Sequence, residues 1–183
     1  KYKMLLKCRA RLRTLKSYDA GLDALAVHAM SPVTAKLAWS KKAVDAWRAS
    51  EPEPASRAQW IKPGFADSDW KTIIASGTWE DSGETDLAGF DGIVWYRQTV
   101  TLTAAEAKSA TSISLGTIDD SDITWINGKL VGTTNGWQTP RDYRLAHGTL
   151  KAGRNVIVVR VVDTGGGGGL WGRPDDRKLA FAN

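Results

Sequence analysis

Two tryptophans and a small set of charged residues are the side chains with the most chemical potential. Trp137 follows Gly136 in a loop, and Trp171 follows the run Gly165 to Gly169. An indole face held outside a core can stack on the C–H face of a sugar ring; packed inside, the same ring is core. Both readings are open for these two, whereas Trp95 and Trp125 lie within strand-like runs and read as core. Asp119, Asp120 and Asp122 crowd one strand end. Such carboxylates can bind sugar hydroxyls or a hard cation such as Ca²⁺, which takes oxygen ligands. Equally, Asp and Ser side chains form turns by bonding nearby backbone N–H groups. The spacing is not that of an EF-hand loop. Arg141 offers a planar fork suited to a carboxylate, including that of sialic acid; a structural ion pair with Asp142, Asp163 or one of the nearby acids is the alternative reading.

No catalytic set stands out. Ser68 and Lys71 match Ser-x-x-Lys by letter, without a Lys-Thr-Gly companion. Glu80 and Asp81 are adjacent, and neighbours on a strand point to opposite faces, whereas glycoside cleavage needs two carboxyls facing one another. His147 sits in a polar Ala-His-Gly turn. Gly165 to Gly169 lacks the Gly-Lys-Ser/Thr ending of a phosphate loop. Its missing side chains allow close approach to a ligand or partner domain, or simply make a loop. One cysteine, Cys8, excludes an internal disulfide and a cysteine zinc site, and the two histidines do not suggest a metal cluster. No cofactor is expected beyond a structural Ca²⁺ at the three aspartates.

These residues need a scaffold, and the sequence changes grammar along its 183 residues. Residues 1–60 carry 12 Lys and Arg against 5 Asp and Glu, while residues 61–183 carry 13 against 15. The basic character therefore belongs to the leader, residues 1–16, which is read as a solvated tail; a nucleic-acid role is remote. No apolar run is long enough for a membrane span. Residues 17–50 have helical spacing, with Ser31-Pro32 as a start signal. Residues 51–60 form a Pro/Glu linker. Residues 61–183 alternate short β-rich runs and turns: 94–102, 112–118, 123–126, 141–145, 156–162 and 178–181. Asn127-Gly128 predicts a type I′ hairpin. The expected fold is mainly β, a galactose-binding-like jelly-roll β-sandwich preceded by a short α-helical segment. Seven of the nine tryptophans fall between Trp60 and Trp171.

An ordered set of motifs resembles the β-sandwich inserted in bacterial sialate O-acetylesterases. It comprises Asp91 to Arg97, Ser114 to Asp122, Ile126 to Gly132, Gly136-Trp137, Pro140 to Tyr143, Leu150 to Asn155, and Asp163-Thr164 with the five glycines. The pattern is similar, more loosely, to the sugar-binding jelly roll of β-galactosidases and β-glucuronidases. The resemblance spans roughly residues 65–183, with 17–50 looking like the connection before the insert. It implies a longer, secreted or periplasmic parent whose SGNH-type serine-hydrolase domain removes acetyl esters from sialic acid. The family's nucleophile block and its Asp/His block are absent from this sequence. The expectation is thus a non-catalytic, carbohydrate-associated accessory domain that binds glycan weakly and packs on the parent's catalytic domain. The alternatives are a purely structural insert without a ligand and a fragment of an active carbohydrate esterase or glycoside hydrolase.

Overall fold

A computed structural model of the chain describes residues 2–4, 7–13, 55–75 and 77–182. The helical segment expected over 17–50 and the start of the linker lie outside the described residues. Two antiparallel sheets make a β-sandwich with jelly-roll crossings. Strands β1 (Tyr2–Met4), β10 (Arg177–Phe181), β5 (Ala110–Thr117) and β8 (Pro140–Arg144) form one sheet in that order. The other runs β3 (Lys71–Ile74), β2 (Lys7–Arg13), β4 (Gly92–Leu102), β9 (Gly153–Asp163), β6 (Ser121–Ile126) and β7 (Lys129–Asn135). Helix α1 (Ala55–Trp60) precedes β3, and α2 (Ala104–Ser109), capped reciprocally by Thr103 and Glu106, links β4 to β5.

The leader departs from the expected solvated tail. Tyr2–Met4 pairs with β10, and Lys7–Arg13 lies between β3 and β4. Alternating charged and small or apolar letters (KCRARLR) carry the period of two of a strand. The linker differs too, since Ala55–Trp60 is helical.

The long partners β4 and β9 pair from Gly92↔Asp163 to Leu102↔Gly153 and form the centre of the larger sheet. Their apolar runs are continuous because both faces are covered. Val94, Tyr96, Val159 and Val161 point into the sandwich, where they meet Ile113, Leu115 and Leu179. Ile93, Trp95, Val156, Val158 and Val162 point the other way, into a second cluster with Trp70, Trp60, Ile61 and Phe65. Residues 60–70 thus form a strap over the outer face of the sheet. Arg97, 1% exposed, pins it: its guanidinium donates to the Trp60, Lys62 and Phe65 carbonyls and pairs with Asp67 at 3.2 Å. Trp60 meets Trp95 edge-on at 5.3 Å, and Trp95 stacks on Trp125 at 5.5 Å and 11°.

At the β6–β7 hairpin, Asn127 and Gly128 have φ of 52° and 81°, as a type I′ turn requires. Asn127 also anchors the turn from below: its amide donates to Asn155 Oδ1 at 2.8 Å, and its Oδ1 accepts from the Val156 N–H at 3.0 Å.

Candidate functional site

One end of the sandwich gathers the β5–β6 turn, the loop between β7 and β8, and the glycine segment after β9. Trp137 is 48% exposed, one of few large apolar side chains left so open among the described residues. Trp171 is half-buried beside it, with ring centroids 5.8 Å apart and planes inclined by 38°. The Trp171 indole N–H donates to the Trp137 carbonyl at 3.0 Å, which fixes the Trp171 ring against the Trp137 backbone. The structure therefore brings together two tryptophans that lie 34 positions apart in sequence. Behind Trp171, Gly172 lies so close to β5 that a Cβ there would stand 2.6 Å from the Thr117 nitrogen.

A buried charge holds this surface from beneath. The side chains of Arg141 and Asp122 are both fully buried and pair at 3.0 Å. Asp122 accepts further hydrogen bonds from Thr124 (2.8 Å) and from the Tyr143 hydroxyl (2.8 and 2.9 Å). Burial pushes the Asp122 carboxyl up, opposed by the Thr124, Tyr143 and Arg141 hydrogen bonds. Arg141 spends its other donors on carbonyls: Gly136 at 2.6 Å, Asp120 at 3.0 Å, and Thr139. These charge-assisted bonds clamp the turn that carries Trp137. Arg141 is thus a positioning residue inside the sandwich, and the expected contact with a sugar carboxylate is closed to it. Asp122 is likewise withdrawn from surface ligands.

Asp119 and Asp120 remain at the half-buried rim, and the third carboxylate beside them is Asp163, at the end of β9. Oxygens from Asp119, Asp120 and Asp163 lie within 4.8 Å of one another. Asp120 Oδ2 accepts from the Thr164 N–H at 3.0 Å and from its hydroxyl, and Asp163 Oδ1 accepts from the Gly165 N–H at 3.0 Å. Burial, then the Asp120 hydrogen bond and charge, push Asp119 up to about 8. Burial, with the Asp120, Asp91 and Glu80 charges adding to it against the Gly165 hydrogen bond, pushes Asp163 up to about 7. Sequence reading assigned no site role to Asp163; its position between an apolar strand and five glycines was the available signal.

The glycine run splits into two parts. Gly165 and Gly166 are exposed, with open space around them or nearly so. Gly167, Gly168 and Gly169 instead approach their own domain. A Cβ on Gly168 would stand 2.3 Å from the Trp79 ring, and one on Gly169 would stand 2.9 Å from the Tyr96 hydroxyl. Gly169 also exchanges backbone hydrogen bonds with Asp119, at 3.0 and 3.3 Å. The close approach is internal here, to Thr78, Trp79 and Tyr96.

The remaining candidates for catalysis are engaged or dispersed. Lys71 bonds Asp86 (2.8 Å) and Glu84 (2.9 Å), which raise its pKa and hold its amine protonated, so it is no base for Ser68. Glu80 accepts from the Gly168 N–H while Asp81 accepts from the Thr78 hydroxyl. His147 is exposed.

Comparison with known proteins agrees with this architecture. The chain is similar to an uncultured Clostridium sp. β-glucuronidase (TM-score 0.57, 12% identity, 89% of this chain and 22% of that one). It is also similar to Ruminococcus gnavus β-glucuronidase (TM-score 0.56, 12% identity, 89% of this chain and 21% of that one). Bacteroides uniformis β-glucuronidase 2, described as covalently bound to cyclophellitol-6-carboxylate aziridine, matches with TM-score 0.55 and 25% identity over 65% of this chain and 15% of its own. The chain thus spans less than a quarter of each of these proteins. No curated protein sequence matches it. The model of the family described as "Beta-galactosidase second all-beta domain" matches residues 55–167. With more than half its length matched, and a two-sheet sandwich to go with the match, the chain belongs to the beta-galactosidase second all-beta domain family.

Proposed function

We propose that this chain is a non-catalytic accessory domain of a glycoside hydrolase of the β-glucuronidase or β-galactosidase type, and that its Trp137–Trp171 face meets carbohydrate. The observation that carries the reading is that paired, half-open indole surface, held by the buried Arg141 clamp. Two inclined rings present apolar area to the C–H face of a sugar, and the rim carboxylates Asp119 and Asp120 supply acceptors for its hydroxyls. Family membership and the likeness to β-glucuronidases support the hydrolase parent. The sialate O-acetylesterase parent implied by the ordered motifs gains no support from the comparisons, and the glycoside-hydrolase parent takes its place. In this setting the domain shapes or extends the approach to the parent's catalytic domain.

A shallow two-ring surface gives weak binding, on the order of millimolar to tens of micromolar, or about −4 to −6 kcal/mol. Tryptophan emission titrated with glucuronic acid, galactose and sialic acid tests it. The expected result is a saturable change that Trp137→Ala abolishes. No change with any sugar favours a purely structural insert, and a change that survives Trp137→Ala overturns the placement of the contact at this face. Steady release of p-nitrophenol from its β-glucuronide or acetate ester by this chain alone would overturn the non-catalytic assignment.

A further inference from the structure

Two buried acceptor oxygens near the glycine segment have no hydrogen-bond donor among the described residues: Asp163 Oδ2 and Glu80 Oε1. Asp163 is 1% exposed. Buried polar atoms are nearly always paired, so an orphaned carboxylate oxygen calls for a bound ion or water. This one belongs to a carboxylate grouped with those of Asp119 and Asp120, and its neighbourhood is acidic. Asp91 and Glu80 also repel charge on Asp163, and Arg141, the cation acting on Asp119, already serves Asp122.

We propose that Asp119, Asp120 and Asp163 together hold a hard divalent cation of calcium's size. Three carboxylate oxygens within 4.8 Å of one another suit an ion bound at about 2.4 Å from each. Magnesium dehydrates reluctantly and is usually held by only one or two carboxylates, so a set of three protein carboxylates favours calcium. Asp119 and Asp120 are half-buried and give the ion a path from solvent, while the buried Asp163 carries an oxygen that no described residue satisfies. Glu80 Oε1, on a residue whose other oxygen accepts from Gly168, stands nearby as a further acceptor. The site differs from the sequence expectation in one residue, Asp163 standing where Asp122 was expected. Its ligands come from the β5–β6 turn and from the end of β9. A bound ion therefore fastens the segment leading through Gly169 to Trp171 onto the turn beside it.

The test uses the full chain, without sugar, after chelation and dialysis. Terbium is the probe, because the Trp79 ring packs on Gly168 next to Asp163 and can sensitise its emission. Expected are saturable terbium luminescence, its displacement by calcium more readily than by magnesium, and a higher melting temperature in calcium. The calcium Kd should be on the order of 10⁻⁴–10⁻³ M, as in extracellular modules. Asp163→Asn and Asp119→Asn should each weaken binding by about tenfold or more, since affinity follows ligand charge. The exposed Asp142→Asn should bind as the parent chain does. If calcium leaves the melting temperature and the luminescence unchanged, protons alone neutralise the group and the proposal fails. It fails equally if both ligand variants, folded by circular dichroism, keep the parent affinity. A sugar-binding failure with calcium binding intact would overturn only the carbohydrate reading.

Discussion

The molecule contains two tryptophan groups that differ in what lies over them. On the outer face of the larger sheet, Trp60, Trp70, Trp95 and Trp125 are roofed by the strap of residues 60–70, and Arg97 fastens that roof with carbonyl contacts. At the end of the sandwich, Trp137 and Trp171 also have a buried arginine beneath them, yet among the described residues no segment covers them. Both groups thus use a buried guanidinium bonded to backbone carbonyls, once to hold a lid and once to hold a platform. An arginine under a loop fixes where its carbonyls sit; whether the neighbouring indoles are core or contact surface depends on the chain above them.

Arg97→Ala should give the largest effect. It strands Asp67 and three carbonyls under the strap, with an expected loss of about 3–5 kcal/mol in guanidinium unfolding. If the loss is under about 1 kcal/mol, the strap is not an integral part of the fold and the contrast collapses. Trp95→Ala, at a site with 0% exposure, should cost about 3–5 kcal/mol by the same measurement. Gly168→Ala places a methyl against Trp79 and Asp163 and should cost about 1–3 kcal/mol.

A pH series without added cation sharpens the platform side. Folding raises Asp119 from 3.8 to about 8 and Asp163 to about 7, so the folded state keeps protons that the unfolded chain releases. That contribution is fully present below pH about 4 and is lost as pH rises toward 8. Unfolding midpoints should therefore fall between pH 5 and 8, and Asp163→Asn should flatten the slope. Asp120, Asp91 and Glu80 act with burial in this, and Arg141 opposes it at Asp119. The smallest effect on stability should come from Trp137→Ala, about 1 kcal/mol, because its ring is 48% exposed and packs chiefly on Trp171. That variant serves as a clean probe of sugar contact.

The sequence carried the sandwich where local chemistry is strong. Period-two and apolar runs located β4, β5, β6, β8, β9 and β10 to within a few residues, and Asn127-Gly128 located the hairpin. β2 stayed hidden because charge density in the leader outweighed its alternation. The strap stayed hidden because nothing local marks residues 60–70 as covering a sheet. At the site, Trp137 and Trp171 were legible from their glycine neighbours. The fate of Arg141 was not, since a guanidinium fork serves a sugar acid and a buried aspartate equally well, and only packing distinguishes them. Asp163 replaced Asp122 for a similar reason: register puts Asp122 opposite Val161, within the sheet, whereas Asp163 ends its strand beside the turn.

The placement of β2 has a practical consequence. Residues 55–167, the span matched by the family, omit the strand that separates β3 from β4 and also the β10 partner of β5. A polypeptide trimmed to those limits would bare the backbone N–H and C=O groups along one side of β4, over Ile93 to Arg97. Exposed edges of that kind invite pairing with another copy. Expression of the short version should therefore yield aggregates or strand-exchanged dimers, and supplying residues 1–13 as a separate peptide should restore monomers.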